Sequence, residues 1–255
     1  MIVAIIQARM GSSRLPKKVM MELCGMPVLW HVIDRLKHAT CIDMILVATT
    51  KDASDDCVEE QCRSWGVLVY RGPVDDVLAR YNGAVQSLLS SHKSVDTIVR
   101  ITADCPLLDP VVVDSIVNEM ISGQYDYVSN IDPPTYPDGL DVEVFSRAAL
   151  DEAFSSAFLP SEREHVTPYI RNNPRFRKFN YLHAPDLSKI RLTLDTEKDF
   201  LLIRRIYQEL YHPGKIFFLD DVLRFLETEP ALLKINAEYE RNEGYRKSLE
   251  QDKTL

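Results

Sequence analysis

Four short runs of β-branched and aliphatic residues, at 2–6, 44–48, 67–70 and 97–101, alternate with longer stretches whose apolar residues recur at helical spacing. Runs of this length read as strands, and the periodicity between them predicts helices over 28–37, 55–65 and 76–89. Because the runs are almost continuously apolar, both faces of each strand need cover, and that demands a parallel sheet with helices on either side. The chain is therefore expected to be α/β, of Rossmann-like three-layer type. Its 255 residues suffice for one large domain. Near residue 132 the texture changes, because "DPPTYPDGLD" packs three prolines and a glycine into ten residues. An alternating segment, a helix, "SEREHVTPYIRNN", "FRKFNYLH" and "IRLTLD" follow, then two or three helices. Residues 132–188 are read as a β-rich insertion within the single domain 1–255, and the remainder as a return to the main sheet.

The formal net charge is -8, yet "QARMGSSRLPKK" (7–18) holds Arg9, Arg14, Lys17 and Lys18 with no acid among them. No basic stripe interleaved with aromatics is present to track a nucleic-acid backbone, so none is expected as a partner. The five cysteines include no CxxC pair, which argues against a disulfide framework or structural zinc and fits a reducing, cytoplasmic setting. No apolar stretch approaches the roughly 18 residues that a membrane span needs, so no membrane partner is expected.

The basic cluster is predicted to form the loop after the first strand, where open parallel sheets bind ligands. Gly11, Ser12 and Ser13 let backbone N–H groups approach an anion, while Arg9, Arg14 and Lys18 supply charge and donors suited to phosphate oxygens. A solvated basic loop is the plain alternative. Two acidic positions stand at later strand ends. In "RITADCPLLDP", Asp109 precedes Pro110 and reads as a helix N-cap. Asp104 lacks that explanation and suits a magnesium ligand, although a loop aspartate bonding its own backbone is equally consistent. In "RLTLDTEKDF", Thr196 and Asp199 form a capping box. Asp195 is then either a polar strand terminus, which spacing alone favours, or a second metal ligand.

Six ordered motifs carry a family resemblance: "IIQARMGSSRLPKKVM", "RGPVDDVLARY", "ITADCPLLDP", "YPDGLDVEVFS", "REHVTPYI" and "LTLDTEKDF". Over residues 1–210 the chain resembles the SpsF-like spore coat polysaccharide biosynthesis family, relatives of the cytidylyltransferases that make CMP-3-deoxy-manno-octulosonate and CMP-acylneuraminate. The resemblance implies a glycosyltransferase-A type nucleotidyltransferase fold, CTP as donor and Mg²⁺ as cofactor. It implies that Ala8, Arg9, Gly11, Ser12, Ser13, Arg14 and Lys18 bind nucleotide, with Arg9, Arg14, Lys18 and Asp104 catalytic and Asp104 and Asp195 holding metal. Lys17 departs from the pattern, standing where such families often have glycine. Ala103 departs likewise, before the metal aspartate.

The expected reaction is attack of an acidic-sugar acceptor of nonulosonate or octulosonate type on the α-phosphate of CTP, releasing pyrophosphate for surface polysaccharide or glycan synthesis. A phosphorylated or phosphonate acceptor, and a sugar-nucleotide-dependent glycosyltransferase of the same fold, are the alternatives. Candidate acceptor residues are Asp141 and Glu143, which alternation places on one strand face opposite Leu140, Val142 and Val144, and Arg163 and His165. A solvent-facing strand surface would explain the two acids equally well. Ser161 with Glu164 reads as a capping box, and Thr167–Pro168 as a second helix start. Asp75 is read as the N-cap of the helix carrying Arg80 and Tyr81. The exposed alternation over 176–183 suggests a homodimer.

Overall fold

Along the first strand of the computed structural model, which describes residues 1–91 and 94–253, successive side chains enter different cores. Ala4 and Ile6 pack into one apolar cluster, Val3 and Ile5 into the other, and none is exposed. A strand apolar on both faces belongs at the centre of a covered sheet, and β1 (Ile2–Gln7) is there. The hairpin β2 (Glu22–Leu23) and β3 (Met26–Pro27) forms a small separate sheet. The main sheet adds β4 (Met44–Thr50), β5 (Leu68–Gly72), β6 (Thr97–Thr102), β7 (Tyr127–Ser129), β8 (Glu143–Ser146) and β9 (Lys178–Asn180), in the order β5-β4-β1-β6-β8-β7-β9. Only β8 runs against its neighbours β6 and β7; the other pairings are parallel.

One face is covered by α1 (Val28–Leu36), α2 (Asp56–Ser64) and, beyond α3 (Val77–Ser90), by α4 (Pro110–Gly123). The opposite face takes α3, α5 (Arg147–Ser156) and the short α6 (Pro160–His165) and α7 (Pro168–Asn172). Helices α8 (Glu197–Leu210) and α9 (Leu219–Thr228) return to the first face, and α10 (Glu243–Asp252) packs on α6. Chain direction diverges at the sheet's middle: β4 lies on one side of β1 and β6 on the other. That switch point opens a crevice beyond the carboxyl ends of β1 and β6. Among the described residues no helix is long and apolar enough to cross a membrane.

The expected caps hold at Asp109, whose side chain accepts from Val111 N–H, and at Thr196 with Asp199. Others differ. Residues 132–188 are not β-rich: they hold α5, α6 and α7, and their two strands, β8 and β9, join the main sheet. The alternation read there is real, but it reflects burial of Leu140, Val142 and Val144 in extended chain that pairs only from Glu143 onward. "IRLTLD" likewise does not rejoin the sheet; it pairs through an isolated bridge between Arg191 and Asp138. The Ser161–Glu164 capping box is absent because Pro160 takes the first helical position, and Glu162 accepts from Phe158 and Leu159 N–H instead. Thr167 does precede α7, but its hydroxyl turns to Glu143 rather than capping. The cap of α3 is Asp76, not Asp75.

Candidate active site

The loop leaving β1 is anchored at its start by Asp55, a buried carboxylate that accepts from Met10 N–H at 2.7 Å and from the Thr50 hydroxyl. Met10 C=O then accepts from Ser12 N–H (3.0 Å) and Lys17 N–H (2.9 Å), curling 10–17 into a closed loop. Lys17 closes it with φ +63°. Left-handed backbone is what glycine usually supplies, so Lys17 is an exposed lysine accommodated in a turn conformation. Gly11 has no such constraint, since a Cβ there would meet nothing within 4 Å. Ala8, Arg9, Gly11, Ser12, Ser13, Arg14 and Lys18 all line one lobe of the crevice, about 370 Å³ in volume.

Lys18 reaches across this lobe. Its ammonium donates to Asp104 Oδ2 and Asp195 Oδ1, each at 2.7 Å. Asp195 arrives beside Asp104 through the backbone, because Leu194 N–H donates to Asp104 C=O at 2.8 Å. The two aspartates thus share one site, a pairing that sequence spacing did not favour. Burial alone would raise the Asp104 carboxyl, but the Lys18 charge and hydrogen bond outweigh it and bring it down to about 2. For Lys18 burial works against the charged form, yet the two carboxylates raise it above the ordinary lysine value. Arg14 completes the cluster, 2.8 Å from Asp195 Oδ2 and 2.8 Å from Glu243 Oε2. Arg9 is exposed at the lobe's edge.

A second lobe of about 250 Å³ shares Arg14, Asp104, His165 and Asp195 with the first and extends over Asp141 and Glu143. Glu143 is not a solvent-facing group. It is buried opposite Arg100 in the β6–β8 ladder, with Arg100 on one oxygen and the Tyr127 and Thr167 hydroxyls on the other. Both oxygens are engaged, so its work is to hold the wall. Arg163 is corrected more sharply: it lines neither lobe, but pairs with Asp76 at 2.5 Å and donates to Phe154 C=O. Removing it from the acceptor set follows from that engagement. His165 does face both lobes, but burial, then Arg100, lowers it to about 4, so it acts there as a neutral imidazole.

Asp141 pairs with Arg241 and is nevertheless pushed up to about 7, first by burial and then by Asp138 and Glu143 against the pull of Arg241. A carboxyl raised on folding stabilises the folded state below its unfolded value near 3.9, and that contribution is lost as pH rises through about 7. The thermal midpoint is therefore expected to fall between about pH 4 and 7 in the native chain, to level off above that, and to change less in Asp141→Asn. Parallel profiles in a thermal scan series would remove Asp141 as the titrating group.

Several lining residues escaped the sequence reading. Arg100 had a signal, a charge inside an otherwise apolar strand. Asp138 and Arg191 pair at 2.8 Å and lie inside motifs already singled out. Glu243, Tyr245, Lys247 and Ser248 had none, since they come from α10 at the far end of the chain.

Cations on a strand-end loop, facing two carboxylates across the switch point of a mostly parallel sheet, define a nucleotide-handling enzyme of α/β type. Known proteins narrow the class. Residues 3–218 match the family described as Cytidylyltransferase. The chain is 40% identical to an uncharacterized protein of Methanocaldococcus jannaschii over 96% of this chain and 98% of that one. It is 32% identical to the spore coat polysaccharide biosynthesis protein SpsF of Bacillus subtilis, over 82% of this chain and 87% of that one. A solved cytidylyltransferase from Leptospira borgpetersenii superposes with a TM-score of 0.85 at 31% identity, covering 94% of this chain and 99% of that one. The chain belongs to the cytidylyltransferase family and is a nucleotidyltransferase. The fold, too, is that of the family.

Proposed function

We propose that the protein transfers CMP from CTP to an acidic sugar of nonulosonate or octulosonate type, releasing pyrophosphate. The observation that carries the reading is the meeting of Arg14, Lys18, Asp104 and Asp195 in one cleft, linked by ion pairs of 2.7–2.8 Å (Lys18 to both aspartates, Arg14 to Asp195), in a chain of this family. The donor set fits magnesium: two carboxylates offer hard oxygen ligands, and such an ion takes one or two carboxylates with phosphate oxygens and water. No group of three or more metal-ligating side chains occurs among the described residues, so this pair relies on ligand oxygens to complete a shell. Asp104 and Asp195 would hold the ion, whose chemistry is to withdraw charge from the phosphates.

Arg9, Arg14 and Lys18 bind and orient the triphosphate, and the open space at Gly11 lets it approach the loop. An acceptor oxygen attacks the α-phosphorus as the bond to pyrophosphate breaks, and the loop cations take up charge on the leaving group. Acidic character in the acceptor is supported by Arg171. Of the four arginines around the second lobe, Arg14, Arg100 and Arg191 pair with carboxylates, whereas Arg171 makes no such pair among the described residues; like Arg100 it also buries an unpartnered Nε. An acceptor carboxylate would match that charge, with Asp141 and His165 offering hydrogen bonds to hydroxyls. The open β9 edge, with Phe179 38% exposed and Leu182 just beyond it 58% exposed, supports pairing of two copies. The test is a nucleotide-by-acceptor screen for pyrophosphate release with Mg²⁺, read by product mass. A CMP adduct of an acidic sugar is the expected product; transfer from an intact nucleotide-sugar to a third molecule would overturn the reading.

A further inference from the structure

Beyond residue 218 the chain leaves the stretch that matches the family, yet its last helix comes back to the cleft. Helix α10 is tied to α6 at several points. The Ser161 hydroxyl donates to Asp252 at 2.5 Å, and the Ser248 hydroxyl donates to Glu164 at 2.5 Å. Ser248 also lies 3.0 Å from His165 Nε2, and the Tyr245 ring meets the His165 ring edge-on at 5.1 Å. These ties place Gly244, Lys247, Ser248 and Gln251 along the triphosphate lobe.

In its first turn, Glu243 holds two cations, one on each oxygen. Arg14 Nη1 sits 2.8 Å from Oε2, and Lys247 Nζ sits 2.8 Å from Oε1. Two donors converging on a carboxylate match what a phosphate's oxygens would receive in the same place. All three side chains are partly open to solvent, at 34%, 40% and 65% for Arg14, Glu243 and Lys247. Exposed pairs are weakly held and readily exchanged.

We propose that Glu243 keeps the place of a ligand phosphate and that Lys247 is a phosphate-binding residue: an incoming polyphosphate takes Arg14 and Lys247 from Glu243. The inference rests on reading Arg14 as a triphosphate ligand and extends that site to the C-terminal helix. Asp195 keeps its contact with Arg14 Nη2 during the exchange, so the arginine stays aimed into the cleft. Glu243 is held below the ordinary glutamate range, first by Lys247 and then by Arg14, and is ionised at neutral pH, which makes it a true competitor for an anion.

Calorimetric titration of the full chain with CTP and, separately, with inorganic tripolyphosphate tests this. Glu243→Gln is expected to tighten both by roughly threefold to tenfold, and Lys247→Ala to weaken both by a similar factor while lowering the salt dependence. Lys247→Arg should restore binding. A gain of affinity in Glu243→Gln is not something structural damage would produce. If the native chain binds CTP and both variants match it, the inference fails while the triphosphate reading stands. If the native chain binds neither CTP nor tripolyphosphate, both fall.

Discussion

Asp104→Asn lowers the rate of pyrophosphate release at saturating substrate by about a hundredfold or more and leaves the fold intact; this is the expected result of a steady-state assay paired with a thermal scan. The size follows from removing one preorganised charge contact, about 3 kcal/mol in the barrier. The intact fold follows from which atoms do the structural work at this position. Leu194 N–H binds the Asp104 carbonyl, not its side chain, so the join between 104 and 195 survives the change. Lys18 keeps its second partner, Asp195, at 2.7 Å and is not left alone. A variant that retained near-native turnover would place Asp104 outside the chemistry.

Gly139→Ala should be the most damaging small substitution to stability. Its φ is +103°, which side chains rarely adopt, and a Cβ would stand 2.5 Å from Thr193 N and 2.6 Å from the Leu192 carbonyl carbon. Both obstacles are backbone, so relief means parting the 138–141 turn from the 190–195 segment. The same seam carries the Leu192 N–H bond to Asp138 C=O and the Arg191–Asp138 ion pair. Overpacking and backbone strain together cost about 3 kcal/mol, roughly 6–12 °C in thermal midpoint for a chain of this size. Activity should fall with it, since Asp195 lies on that seam. Gly11→Ala, which meets nothing, is the matched control and should leave the midpoint unchanged. A midpoint in Gly139→Ala equal to that control would show that the seam can open without loss.

These two positions also mark what the sequence could and could not reveal. The sheet's centre was legible because β1 and β4, and β6 apart from Arg100, carry apolar residues on both faces, a property of each strand taken alone. Caps at Asp109 and Thr196 were legible for the same reason, each being a matter of three or four adjacent residues. Asp195 was not, because its role depends on a backbone bond to residue 104 that no local pattern encodes. Alternation over 140–144 was detected correctly but misassigned to a β-rich insertion, since period-two burial also arises in extended chain packed against a core. Arg163 and His165 were read as equivalents from their closeness in sequence. About half a turn of α6 separates a guanidinium locked to Asp76 from an imidazole that faces the cleft.

With the second lobe read as the proposed acceptor site, the engagement of Glu143 has a bearing on how acceptor preference can change. Arg100, Tyr127 and Thr167 come from three separate elements and converge on that single carboxylate. Substituting any of the four would loosen strands as well as the pocket, so this wall tolerates little variation. Asp141, paired with Arg241, and Arg171 and Tyr245, which meet guanidinium to ring at 5.2 Å, border the same lobe without such a three-way convergence. Diversification confined to those three positions is where altered acceptor range can be sought without dismantling the scaffold that presents it.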